Sequence, residues 1–126
     1  MARRKSPTPS NMAYAAETIP VAAHTLVTAY AKALQPLSRI AQSSAGETRW
    51  DAVVAAAAAL RSARESTALT ERNLLGLAVL SGGPIGDVAT LLGVAPSTLS
   101  AQLTGTDAQL LGATLTRTEA GVWAVA

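Results

Sequence analysis

The sequence predicts a mostly α-helical protein: N-terminal helices, then a bent pair of short helices, then a C-terminal β-hairpin. Three observations carry this. Leu26, Tyr30, Leu34, Leu37 and Ile40 recur at spacings of four, four, three and three, one apolar helical stripe. Gly93 and Pro96 interrupt the amphipathic stretch "GDVATLLGVAPSTLSAQL" within four residues, although in a helix interior a Gly costs roughly 1 kcal/mol and a Pro about 3 against Ala. The segment "ATLTRTEAGVWAVA" holds two short runs around a Gly-containing turn, the pattern of a hairpin. The 126 residues suit one domain, or one domain with a tail. Hydrophobic residues make up 49%, but there is no Phe and the apolar mass is mostly Ala, Leu and Val. Such a core buries little area per residue, so dimerisation is expected to bury more.

The elements follow in order. Residues 1–13, with Arg3, Arg4 and Lys5 before Pro7 and Pro9, read as a flexible basic arm, either a solvated terminus or a nucleic-acid contact. Residues 14–67 read as N-terminal helices, the expected dimerisation region. Thr18 is placed to cap a helix with Pro20 in its first turn, and Pro36 predicts a kink or a break. His24, with neither Cys nor a second His beside it, reads as a helix-surface residue. "QSSAGET" is a connector, and Thr48 with Asp51 resembles a capping box. The next helix runs to about Ser66. Its Arg61 and Arg64 either suit the helix dipole or contact phosphate. A third helix is expected from Thr70, with Leu69 stapled onto Leu74, as far as the Gly82–Gly83 stop. The predicted core takes Leu26, Tyr30, Leu34 and Leu37 from the first helix and Val53 and Leu60 from the second. It takes Leu74, Leu77 and Leu80 from the third, and Val88, Leu92, Val94, Leu99 and Leu103 from the bent pair.

In the bent pair, Gly93 sits where a helix end wants a left-handed residue, Val94 tucks back under that helix, and Pro96 fixes φ for the first turn of the next. Ala89 is small where the two helices cross. The segment "DVATLLGVAPSTLSAQL" resembles the helix-turn-helix of bacterial DNA-binding regulators, and "LGVAPSTLSAQL" is close to the winged-helix repressor type. "LTERNLLGLAVLSGG" resembles the helix that precedes the motif in MarR-like regulators. The resemblance covers about residues 69–126 and implies a winged helix-turn-helix in residues 68–126, with the hairpin as the wing. Arg117 and Trp123 belong to that wing, Trp123 more as a plug over the core than as a base-stacking residue. The C-terminal helices with which many MarR-like proteins dimerise do not follow the hairpin, so the N-terminal helices are expected to form the homodimer.

By the same resemblance the second helix enters the major groove, and Ser97, Thr98, Ser100, Ala101 and Gln102 face base edges. Gln can pair bidentately with adenine, hydroxyls bond to either kind of base, and Ala can touch a thymine methyl. Ser97 also suits a capping role. Residues 84–111 contain no Lys or Arg, while Asp87 and Asp107 are acidic. Phosphate contacts therefore fall to Arg3, Arg4, Lys5, Arg61, Arg64, Arg72 and Arg117.

Composition narrows the remaining classes. Without Cys there are no disulfides or thiolate metal sites. The formal charge of +2 permits an anionic partner without demanding one. No apolar run is long enough for a membrane span, and the basic start is not followed by a signal-like apolar run, so the cytoplasm is the expected location. One His, no phosphate loop, no dinucleotide fingerprint and no suggestive carboxylate pair argue against an enzyme, and no cofactor is expected. The expected function is a dimeric, sequence-specific double-stranded-DNA-binding transcriptional regulator, most simply a repressor. The alternatives are a plasmid partition or copy-control protein, and a helix-turn-helix scaffold for protein–protein interaction.

Overall fold

The computed structural model describes residues 5–126. Four helices, α1 (Pro9–Ala41), α2 (Trp50–Leu80), α3 (Ile85–Leu92) and α4 (Pro96–Gln102), are followed by a short 3-10 turn at Asp107–Leu110. Strands β1 (Leu115–Arg117) and β2 (Trp123–Val125) close the described chain as an antiparallel pair, with Leu115 opposite Val125 and Arg117 opposite Trp123. The mostly helical fold with a terminal hairpin is as expected.

The N-terminal helices differ from expectation in number and length. The first does not begin at Thr18. Thr8 caps it: its hydroxyl accepts from the Asn11 N–H, and the Asn11 side-chain oxygen accepts from the Thr8 N–H. Pro9 takes the first helical position, where a missing N–H costs nothing. Residues 9–13 are therefore helix, not arm. Thr18 instead lies inside α1, its hydroxyl returned to the Tyr14 carbonyl. Pro20 and Pro36 both lie within the 33-residue helix, and the chain continues helically through each.

The expected second and third helices are one. Nothing between Trp50 and Leu75 is Gly or Pro. At the expected end near Ser66, Ser66 and Thr67 return their hydroxyls to the Ala63 carbonyl and leave the backbone ladder intact. Thr70 caps nothing and Leu69 is exposed. The Thr48–Asp51 box is also absent: Arg49 holds the cap position without a side-chain bond, and Thr48 pairs with the Ser43 hydroxyl.

The turn at positions 93–96 follows the sequence reading. Gly93 has φ +71°, the left-handed conformation that ends α3. The Val94 N–H returns to the Ala89 carbonyl at 3.0 Å, and Pro96 starts α4.

Two small apolar clusters hold the body. Ala15 and Ala22 of α1 pack on Leu77 and Leu80 of α2, with Tyr14, Ile19, Leu74 and Leu110 around them. Val79 packs with Ala89, Leu99 and Leu103, flanked by Leu75, Ile85, Val88 and Val94, and Leu111 touches both clusters. Of the predicted core, Leu77, Leu80, Leu99 and Leu103 are buried. Leu26, Tyr30, Leu37, Leu60, Leu74, Val88 and Val94 are half-buried, and Leu34, Val53 and Leu92 are exposed. The buried places along the α1–α2 pair go instead to Ala22, Ala33, Ala56 and Ala63, because only small side chains fit between helices in such close approach.

Candidate nucleic-acid interface

Helix α4 is two turns long, and its apolar residues four apart point one way. Leu99 is fully buried and Leu103 nearly so, against Val79 and Ala89. Ser97, Thr98, Ser100, Ala101 and Gln102 are consequently all exposed. The cap position falls on Ala95, which makes no side-chain cap bond, so the capping role considered for Ser97 is not used. This surface offers three hydroxyls, a methyl and a primary amide, and no charge.

Lys5 stands beside it. A cleft of about 550 Å³ is lined by Lys5 and Ser6, by residues 82–86 at the turn after α2 and the start of α3, and by Pro96, Ser97 and Ser100 of α4. The structure thus brings one predicted phosphate residue next to two predicted base-reading residues. Asn11 causes this. Its fully buried amide donates to the Leu110 and Ala113 carbonyls at 3.0 and 3.1 Å and accepts from the Gly112 N–H at 3.0 Å. Thr8 adds a hydroxyl bond to the Ala113 carbonyl, and the Ser10 hydroxyl accepts from the Leu115 N–H. The start of α1 is therefore clasped to the segment leading into β1, and Lys5 lies against Gly112. The sequence reading missed this clasp, although Thr8-Pro9 is itself a helix-start signal.

The other cations are dispersed. Arg72 precedes Leu75 and Val79 by three and seven residues, on the face of α2 that packs against α3 and α4. Arg61 and Arg64 are exposed, about 28 and 24 Å from the Leu80 end of α2 at 1.5 Å per residue, so they are not brought to α4. Arg3 and Arg4 lie outside the described residues.

Arg117 is engaged within the protein. It pairs with the Glu17 carboxylate, and its guanidinium lies 4.9 Å from the centre of the Trp123 ring. The Trp123 indole N–H donates to the other Glu17 oxygen at 3.0 Å, and Tyr14 meets the Trp123 ring edge-on at 6.2 Å. Trp123 thus pins the hairpin to α1 through Glu17 and Tyr14. The indole bond foremost, and then the Arg117 charge, hold the Glu17 carboxyl below the usual glutamate value.

Asp107 is drawn inward. Its carboxylate accepts from the Tyr14 hydroxyl at 2.7 Å and from the Asn73 amide at 3.0 Å, while its own N–H donates to the Asn73 side-chain oxygen. Burial, then the bond and charge of Asp107, push the Tyr14 phenol up to about 12. Of the two acids near the helix pair, only Asp87, in the first turn of α3, is exposed.

Among known proteins, no family model, curated sequence or solved structure matches the chain. Among the described residues no helix is long and apolar enough to cross a membrane.

Proposed function

We propose that this protein binds double-stranded DNA in a sequence-specific manner, as a dimeric transcriptional regulator and most simply as a repressor, with α4 in the major groove. It is a binding protein and not an enzyme. The observation that carries the reading is the outward set of α4: every residue expected to read bases is exposed around the buried Leu99 and Leu103, with Lys5 at its edge. The fixed turn at Gly93 supports it, because α4 is held at a set angle on α3 and α2.

Filter binding to duplexes selected from a random pool, at low and moderate salt, tests this. Gln102→Ala is expected to relax preference at one base pair at a cost of about 1–3 kcal/mol. Lys5→Ala is expected to weaken all duplexes alike and to lower the salt slope by about one. Absence of salt-sensitive binding to any duplex refutes the reading and favours a protein scaffold, for which the neutral α4 and the exposed Leu91 and Leu92 of α3 would serve. Protection mapped upstream of the gene separates the regulatory roles. A single palindrome indicates a repressor, and a long array of repeats indicates plasmid partition.

A further inference from the structure

The distal half of the α1–α2 hairpin, away from α3 and α4, has almost no core of its own. Its buried residues are Ala33, Ala56, Ala63 and Thr67. Paired helices owe most of their stability to buried apolar faces, and three alanine methyls supply little.

The large apolar residues lie to one side instead. On α1, Val27, Tyr30, Leu34 and Leu37 follow at spacings of three, four and three. On α2, Trp50, Val53, Ala57 and Leu60 do the same. Each set is a heptad seam, the pattern by which helices supercoil together. Both seams occupy the same flank. A groove along the opposite flank is lined by Lys32, Pro36 and Arg39 of α1 and by Ser62 and Ser66 of α2. Helical spacing puts each seam on the far side of its helix from those residues. Trp50 is 74% exposed, Val27 67%, and Leu34 and Val53 46% each.

We propose that this flank is where a second copy of the chain docks, so that two hairpins close into a four-helix bundle. Trp50, Val27, Leu34 and Val53 expose on the order of 500 Å² of apolar side chain, against about 800 Å² that each partner of a standard interface covers. The half-buried Tyr30, Leu37 and Leu60 lie between them and supply part of the rest. No seam position from Trp50 to Leu60 is charged, and Lys32 and Arg39 lie on the other flank; beyond Leu60 the α2 seam passes to Arg64, which with Arg61 and Glu65 borders Ala57. The seam from Trp50 to Leu60 is therefore free of charge, and each copy offers two seams of matching period, as a self-complementary two-fold interface requires. This names the partner surface of the dimer in the proposed function; it rests on the dimeric part of that reading and not on DNA binding.

Light scattering on the full chain at tens of micromolar is expected to give a two-chain mass, and the double variant Leu34→Glu/Val53→Glu a one-chain mass. The chain contains no Cys, so single-cysteine variants keep the test valid if the charged variant does not fold. Leu34→Cys and Val53→Cys are expected to join two chains through a short bis-maleimide, and Lys32→Cys and Ser66→Cys are not. A one-chain mass for the unaltered protein, or linking confined to the opposite flank, overturns the proposal. Duplex binding is measured on the same samples. A monomer that still binds DNA removes this interface but not the DNA reading, and a seam-linked dimer that binds no duplex does the reverse.

Discussion

Replacing Asn11 with Ala removes four hydrogen bonds and tests whether the start of α1 holds the hairpin and Lys5 in place. The amide is fully buried and joins Thr8, Leu110, Gly112 and Ala113. Each such bond contributes a net of about 1 kcal/mol, and a buried group left without a partner costs about 1–3 kcal/mol. Gly112 is exposed and Thr8 half-buried, so water can take over their N–H groups. Ala113 keeps the Thr8 hydroxyl, while Leu110 loses its side-chain donor. The expected loss is thus about 2–4 kcal/mol, between the two amide-donated bonds alone and all four. Urea unfolding followed by helical circular dichroism, at one protein concentration because dimerisation adds to stability, is expected to show a midpoint lowered by about 1–2 M. Asn11→Asp sharpens the test. It retains both acceptor bonds and suits a helix N-terminus, but sets a carboxylate against the Leu110 and Ala113 carbonyl oxygens. If the Asn11→Asp variant matched the unaltered protein in stability, Asn11 would be a helix cap only, and the clasp argument would fail.

Gly76→Ala should favour the helix by about 1 kcal/mol on propensity alone. A Cβ there would stand 2.8 Å from the Thr106 hydroxyl and 3.1 Å from the Ala108 backbone nitrogen; a thermal melt is expected to show net destabilisation of about 1–3 kcal/mol, and a raised melting temperature would mean that the 3-10 turn gives way. The Tyr14 phenol, raised from 10.0 to about 12, favours folding while protonated. Its contribution is complete below pH 10 and is lost between pH 10 and about 12, where the unfolded chain has released the proton and the folded chain has not. Tyrosinate absorbance of the protein minus that of Tyr14→Phe should titrate in that window. Glu17 has a lowered pKa, so its hold on the hairpin is present above the ordinary glutamate value and lost as pH falls through the lowered one. In a Trp50→Phe background, Trp123 emission should change in acid, and Glu17→Gln should abolish that titration. If Arg117 reaches phosphate, Glu17→Gln also releases its charge and steepens the salt dependence of DNA binding by about one.

The turn between α3 and α4 and the hairpin were legible because single residues decide them. Gly93 alone can take φ +71° without strain, Pro96 alone starts a helix with fixed φ, and Gly121 turns the hairpin at φ +79°. Helix lengths were less legible because the signals were real but had other uses. Pro20 and Thr18 make a plausible start, yet Thr8-Pro9 makes a stronger one once Asn11 is satisfied by residues 99 to 102 positions away. Ser66, Thr67 and Thr70 look like punctuation, yet the hydroxyls of Ser66 and Thr67 turn back on the helix itself. Leu34 and Val53 were assigned to the core by period. The period is correct, but it points the side chains to the flank, since alanines occupy the space between the helices.

The exposed face of α4, proposed to read bases, followed from local spacing, because Leu99 and Leu103 four apart must turn the residues around them outward. The placement of charge could not follow from spacing. Lys5 reaches the cleft beside Ser97 only through the clasp between α1 and the segment before β1, and Arg117 is held by a carboxylate 100 residues away. In the proposed DNA-binding role, the neutral α4 gives these long-range arrangements weight: the contributions of Lys5 and Arg117 to phosphate attraction depend on tertiary contacts at Asn11 and Glu17. The two contacts act in opposite directions. Asn11 brings Lys5 to the cleft beside α4, so under the proposed function its loss should lower duplex affinity even in conditions where the chain stays folded. Glu17 occupies Arg117, so its neutralisation should raise affinity. A neutral reading helix flanked by cations responds oppositely to these two substitutions, whereas a protein-binding scaffold responds to neither in a salt-dependent way.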